Sequence, residues 1–231
     1  MVFFVTMGFP QKSYNPVFSE NEWADIIEAC HANEVPDEWV ADGTCYKDML
    51  INGANYRIDI IGKNHDDLSD GTGKAPLTFQ LHDCYTIPYP MNDTSTNVGG
   101  WTNCAMRSTH LPAILALMPA EIQAGIREVQ KKSSAGNKSS SIVTTNDDLF
   151  LLSEIEIFGR TTYSFAGEGT QYAYYQAGNS KVKNLSGSAY AWWERSPFSG
   201  GSIRFCRVDS NGNVIASGAS YSRGVPFCFC F

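Results

Sequence analysis

Four places in the chain hold residue types that could do chemistry. Cys30-His31 and His82-Asp83-Cys84 contain the thiol, imidazole and carboxylate of a cysteine hydrolase. Such groups act only when they converge in space, however. Neighbours on a helix point in different directions, and consecutive strand residues face opposite sides, so both clusters read as structural. The third place, GKNHDDLSDGTGK, gathers Asp66, Asp67 and Asp70 among glycines. Oxygen ligands for Ca²⁺ often come from such loops. The spacing lacks the EF-hand pattern and its terminal glutamate, and a polar turn with Asx hydrogen bonds is the competing reading. The fourth place is the end of the chain, Gly187 to Phe231. There Arg204, Arg207, Tyr221 and Arg223 are of the types that dominate protein-interface hot spots. Cys228 and Cys230, at i and i+2, share one face of the last strand, with Cys206 a candidate neighbour in space.

Those residues must be positioned by recognisable elements. Residues 19–32, SENEWADIIEACHA, predict a helix with Ser19 and Glu22 as its capping box. Trp23, Ile26, Ile27 and Cys30 form its apolar face. The opening MVFFVTMGFP reads as a strand or packed arm, and Asp42-Gly43 as a loop break. NYRIDII alternates as a half-buried strand with Tyr56, Ile58 and Ile60 inward, and Leu77, Phe79 and Leu81 mark another. Residues 86–110 read as a long irregular connection, with Gly99-Gly100 letting a backbone approach Trp101. LPAILALM and PAEIQAGIREVQKK predict two helical pieces, the second started by Pro119 and ended by Lys131-Lys132. SSAGNKSSS has the composition of a flexible loop. DDLFLLSEIEIFG predicts a buried strand running into a short turn closed by Gly159. The Tyr-, Gly- and Ser-rich stretch from Thr161 to Gly187 suits an exposed loop offering aromatic contact area.

In the terminal segment, IRFCRV and NVIASG flank DSNG, a strong turn signal between two short strands. The last strand alternates Val225, Phe227, Phe229 and Phe231 against Cys228 and Cys230. Both faces are apolar, which predicts a central position. Of Trp192 and Trp193, adjacent on a strand, at most one could serve as a sugar-stacking platform.

The bulk numbers bound these readings. A chain of 231 residues, 43% hydrophobic and 18% charged, predicts one globular domain. No apolar run approaches the ~20 residues of a membrane helix. Net charge is −7, but residues 160–231 carry seven basic and three acidic side chains, leaving ten and twenty-one for residues 1–159. An acidic support with a mildly basic end argues against a nucleic-acid binder. Seven cysteines cannot all pair internally, which favours buried thiols in a chain made in a reducing compartment.

The strings NGANYRIDIIGKNHDD, TNVGGWTNCAMR, LFLLSEIEIFG, GEGTQYAYY, WWERSP and SNGNV followed by GV occur in this order. Together they resemble an uncharacterised domain family widespread in phage tail-associated and bacterial surface proteins, from about residue 19 to the end. The terminal part also resembles the variable region of proteins diversified by diversity-generating retroelements. That resemblance implies an α+β, C-type-lectin-like single domain spanning residues 1–231. Residues 1–45 would be an N-terminal arm and helix, and 187–231 a variable ligand-binding region. Two or three helices would pack on a small, twisted, mostly antiparallel sheet with long loops.

It further implies diversified positions at Tyr190, Ser199, Ser202, Ile203, Arg204, Arg207, Asp209, Val214, Ile215, Ser217, Gly218, Tyr221 and Arg223. The fixed scaffold would be Trp192, Trp193, Arg195, Ser196, Pro197, Phe205, Cys206, Val208, Gly212, Gly224 and Val225. Adenine-directed mutagenesis of an asparagine codon cannot yield Lys, Glu, Gln, Met or Trp, and none of the five occurs from Arg195 to Phe231. The ending GVPFCFCF departs from the Arg-Pro-Ala-like run more usual there.

The implied function is non-enzymatic recognition of a protein or glycan receptor on a host or neighbouring cell, by a virion or bacterial surface adhesin. It needs no cofactor, binds no nucleic acid and inserts in no membrane. Multivalency would come from a homo-oligomer or from attachment to a phage particle. Two competing expectations stand beside it. One is a calcium-dependent carbohydrate-binding module using Asp66, Asp67 and Asp70. The other is a cysteine-dependent oxidase of the formylglycine-generating type, which lectin-like folds also host, using Cys228 and Cys230.

Overall fold

The computed structural model describes residues 12–40 and 45–231. The apolar opening segment and the Asp42-Gly43 break lie outside them. Helix α1 (Trp23–His31) buries Trp23, Ile26, Ala29 and Cys30, the face its spacing dictates. Its start differs from expectation. Ser19 lies inside a 3-10 turn, Phe18–Glu20, while Glu22 is the N-cap residue and no side chain caps the helix. The turn is fixed instead by Phe18, which packs edge-on against Trp39 at 5.4 Å.

Strands β1 (Tyr46–Ile51) and β2 (Ala54–Lys63) form a hairpin around Asn52-Gly53, whose φ values of 48° and 78° suit a tight primed turn. After β3 (Leu77–Leu81), a π-helical turn at Met106–His110 runs into α2 (Leu111–Leu115), and α3 (Ala120–Gly125) follows. This last helix does not continue to Lys132. Ile126 is extended, and Val129–Ser134 is a strand, β4, paired with β5 (Ile142–Asp147). Val129, Lys131 and Ser133 point inward and are buried, while Gln130 and Lys132 are exposed. The basic pair read as a helix end is therefore one buried and one exposed strand residue.

The loop expected to be flexible is the short β4–β5 turn, held by Asn97: its Oδ1 accepts from Asn137 N–H at 2.8 Å. Gly100 and Gly136, with φ of 56° and 71°, let the 97–100 backbone press against this turn, because a Cβ at either would strike Ser134 O or Asn97 O. Leu149–Leu152 are buried, and α4 (Glu154–Phe158) follows with a Ser153–Glu156 capping box and Gly159 in the left-handed region.

The region predicted to be an exposed aromatic loop contains α5 (Ala173–Gln176), and Tyr172, Tyr175 and Glu168 in it are buried. It is core because its polar groups have partners inside. A two-stranded hairpin, β6 (Lys183–Leu185) and β7 (Ser188–Tyr190), leads to β8 (Trp192–Pro197), β9 (Arg204–Val208), β10 (Val214–Gly218) and β11 (Cys228–Cys230).

The architecture is mixed, with short helices beside small antiparallel sheets: β1-β2-β3-β11, β10-β9-β8 and the two hairpins. One buried apolar cluster runs from Phe18 to Phe231. Although β11 ends its sheet order, its other side is bridged by Phe150, whose N–H and C=O exchange bonds with Cys228 at 3.0 and 2.7 Å. Every residue from Gly224 to Phe231 is buried. Among the described residues no helix is long and apolar enough to cross a membrane.

Candidate functional site

The terminal sheet is built on a strand with no exposed side. All six residues of β8 are buried. Trp192 Nε1–H donates to Lys181 O and Trp193 Nε1–H to Tyr89 O, both at 2.9 Å. Both indoles are thus core, and neither is a sugar platform. Gly224 pairs beside Trp192, and any side chain on it would strike the Cys84 thiol.

Arg195 is wholly buried. It forks onto Glu156 at 2.5 and 2.8 Å and donates to Leu151 O, Glu168 O and Lys132 O. Glu156 also holds Lys131 Nζ at 2.8 Å, and that ammonium reaches Asp66 at 2.6 Å and Tyr172 Oη at 3.1 Å. Burial alone would push the Asp66 carboxyl up, but the Lys131 charge and hydrogen bond outweigh it and hold it down at about 2. The same competition leaves Glu156 below its ordinary value, with Arg195 and Lys131 prevailing over burial. Glu168 goes the other way. Burial pushes it up to about 7 despite bonds from the Ser196 hydroxyl and Ser134 N–H. Glu194, whose oxygens have no hydrogen-bond partner, is pushed well up by burial and by Glu154 and Glu168. This network ties β4, α4 and the 164–172 segment to the underside of the terminal sheet. Sequence reasoning missed it, apart from naming Arg195 and Ser196 as scaffold.

Above that base the side chains divide by exposure. Trp192, Trp193, Arg195, Ser196, Pro197, Phe205, Cys206, Val208, Gly224 and Val225 are buried. Gly212, partly exposed, is needed for its φ of 83° in the β9–β10 turn. Ile203, Arg204, Ile215 and Tyr221 are exposed. Tyr190, Ser199, Ser202, Arg207, Asp209, Val214, Gly218 and Arg223 are half-buried, and Ser217 alone of the thirteen is buried.

The register places Arg207 opposite Ile215 and Phe205 opposite Ser217, so these four share one side of the β9–β10 pair. Arg207 Nε–H donates to the Ser217 hydroxyl at 2.5 Å, which explains the burial of that serine. Asp209 accepts from the N–H groups of Asn211 and Asn213 at 2.9 and 2.8 Å and builds the turn. Ser199 is spent on Tyr163 O, and Tyr190 stands on the separate β6–β7 hairpin.

Asn97, fully buried, supports the loop that opens this face and was not legible beforehand. Its Nδ2 donates to Gly201 O at 2.9 Å and Arg204 O at 2.7 Å, and its N–H to Ser202 O at 2.7 Å. The weak signal for it was its place beside Gly99-Gly100.

The other chemical candidates disperse. Asp66 goes to Lys131, Asp67 to Lys74 at 2.8 Å and Asp70 to Arg127 at 3.1 Å, three separate cations. Among the described residues no group of three or more His, Cys, Asp or Glu is placed to hold a metal ion. His31 bonds Gly125 O, while burial pushes the Cys30 thiol up to about 12. His82 pairs with Asp59 at 2.6 Å and Asp83 accepts from Asn184, while Cys84 is buried and its thiol likewise pushed up to about 12. Cys206, Cys228 and Cys230 are fully buried, and burial raises all three thiols far above their ordinary value.

A family model described as "Domain of unknown function (DUF6273)" matches residues 81–231. No curated protein matches the chain. No solved structure matches it either.

Proposed function

The chain belongs to the family of that domain of unknown function, and from this premise we propose that it is a non-enzymatic ligand-binding protein. In this reading the fold is C-type-lectin-like, and the β9–β10 face recognises a protein or glycan receptor from a virion or bacterial surface. The face would vary through a diversity-generating retroelement while its support stays constant. One observation carries the reading: in Trp192–Val225 the positions expected to be fixed are buried, save Gly212, and those expected to vary are exposed or half-exposed, save Ser217. A rigid base beneath a few exposed Tyr, Arg and Ile side chains lowers the entropy lost on binding.

The test starts from immobilised protein, panned against a displayed random-peptide library and a glycan array. Each hit is then titrated against the wild type and an Ile203→Ser, Arg204→Ser, Tyr221→Ala variant. Binding weaker by about tenfold or more at unchanged Tm supports the reading. Equal binding by the variant, or no hit from either library, sinks it. EDTA should leave binding unchanged, since Asp66, Asp67 and Asp70 each hold a protein cation. Loss of binding on chelation would instead favour calcium-dependent carbohydrate recognition. For the diversification claim the observation is the neighbouring DNA: a near-copy of the segment encoding Tyr190–Phe231, differing at adenines beside a reverse transcriptase gene, is expected. Differences spread over all four bases would refute it.

A further inference from the structure

Two guanidinium groups on this face converge on one hydroxyl. Arg207 Nε–H donates to Ser217 Oγ at 2.5 Å, and Arg223 Nη2–H approaches the same oxygen at 3.4 Å. Ser217 is only 7% exposed, so its position is set by the sheet rather than by solvent. Arg223 Nη1–H donates to Ser222 O at 2.9 Å, its buried Nε has no partner, and its guanidinium lies 5.5 Å from the Tyr221 ring centre.

The arginines that form ion pairs are Arg57, Arg107, Arg127 and Arg195. Among the described residues Arg207 and Arg223 have none. The acid that acts on Arg207, Asp209, has one carboxylate oxygen engaged by two turn N–H groups. Burial, then the charge of Arg223, pulls the Arg207 guanidinium below its ordinary value. Two like charges are thus held beside a neutral oxygen in a chain of net charge −7, an arrangement that an incoming anion would relieve.

A guanidinium fork matches a carboxylate in shape and forms charge-assisted bonds to it. What flanks the pair narrows the source of that carboxylate. Ile215, opposite Arg207, is 39% exposed, and Tyr221 is 60% exposed. Exposed aliphatic and aromatic side chains beside arginines match a protein surface, where an acidic residue has apolar neighbours. We propose that Arg207, Ser217 and Arg223 form a subsite for the carboxylate of an aspartate or glutamate on a protein partner, with Ile215 and Tyr221 covering its apolar surroundings. This rests on the binding-face reading and narrows it from protein or glycan to an acidic protein surface.

The arginine Nε–H signals of the full chain, followed by NMR, test the subsite without knowledge of the partner. The probes are N-acetyl-isoleucyl-glutamate amide, its glutamine counterpart, glucuronate and inorganic sulfate. The glutamate dipeptide should shift the Arg207 and Arg223 signals together and saturably, with the other three binding about tenfold more weakly or worse. Arg207→Gln and Arg223→Gln should each cause a similar loss, and Arg223→Lys an intermediate one. The proposal falls if the glutamate dipeptide gives no saturable shift, or if the glutamine form, the acidic sugar or sulfate binds as well. Should the Gln variants fail to fold, the wild-type ranking of the four probes decides alone. Its failure is distinct from that of the parent reading. Receptor binding lost in the Ile203, Arg204, Tyr221 variant but kept in Arg223→Gln would leave the face and remove the subsite. Dipeptide binding without any face-dependent receptor would do the reverse.

Discussion

Lys131 and Glu168 show how single residues set the energetics beneath the terminal sheet. Lys131 is 3% exposed, surrounded by Asp66, Glu156 and Tyr172. Replacing it with methionine leaves Asp66 in the interior without its counter-ion, held only by the Thr78 and Tyr172 hydroxyls. Such a loss costs roughly 3–5 kcal/mol, whereas removing both partners costs much less. Urea unfolding should therefore show a large loss for Lys131→Met and a smaller one for Lys131→Met with Asp66→Asn; equal losses would mean the pair is not coupled. Glu168 predicts a pH effect of opposite sense to the usual carboxylate. In the unfolded chain it titrates near about 4.3, but in the fold at about 7. Between those values the folded state holds the extra proton, so stability falls as pH rises, by about 1.4 kcal/mol per pH unit, and levels off above the folded value. Glu194, also pushed up by burial, acts in the same direction. Unfolding midpoints should be higher at pH 5 than at pH 7.5, and Glu168→Gln should flatten the difference. Burial lowers His65 and His110, which act in the opposite sense, so the assignment is refuted if Glu168→Gln leaves the pH dependence of the wild type unchanged.

At the level of elements, what was legible and what was not divides by where the polar groups go. Helix α1, strands β2 and β3 and the buried end strand follow periodicities of apolar residues. β4 was hidden because its inward residues are Val129, Lys131 and Ser133. A buried lysine looks like a helix terminus until its carboxylates, distant in sequence, are in place. The 161–187 stretch misled for the same reason, since Tyr172 and Glu168 are satisfied only by partners on other elements. The candidate face was legible as a turn between strands with unperiodic filler. Its support by Asn97 was not, because one asparagine carries no pattern. Asn97→Ala would strand the Gly201 carbonyl and leave the Arg204 carbonyl with only the Phe198 N–H, without touching any exposed side chain. A cost of about 2–3 kcal/mol is expected. Faster amide hydrogen exchange at residues 198–204 should accompany it, with weaker receptor binding. Unchanged exchange in that segment would show the loop to be held by other contacts.

For the molecule as a whole, one continuous core and one separable face imply two different responses to substitution. The indoles of Trp192 and Trp193 are fully buried, and each donates to a backbone carbonyl of another segment. Truncating either to alanine removes a large packed surface and an internal hydrogen bond. Phe and Trp truncations of this kind cost about 3–5 kcal/mol, a large part of the ~5–15 kcal/mol that holds a domain folded. Ile203, Arg204, Ile215 and Tyr221 touch that core little. Exposed positions away from caps, ion networks and strained backbone change stability by roughly ±0.5 kcal/mol each. A library randomised at these four positions should therefore keep its Tm within a few degrees of wild type for most members, while Trp192→Ala or Trp193→Ala lowers it sharply. Ser217 belongs with the core despite its place among the thirteen candidates, because it is buried under Arg207. Bulky replacements there should behave like core mutations. If the randomised library unfolds as broadly as the tryptophan variants, the face is part of the folding unit. A surface built to vary would then have to be sought elsewhere on the molecule.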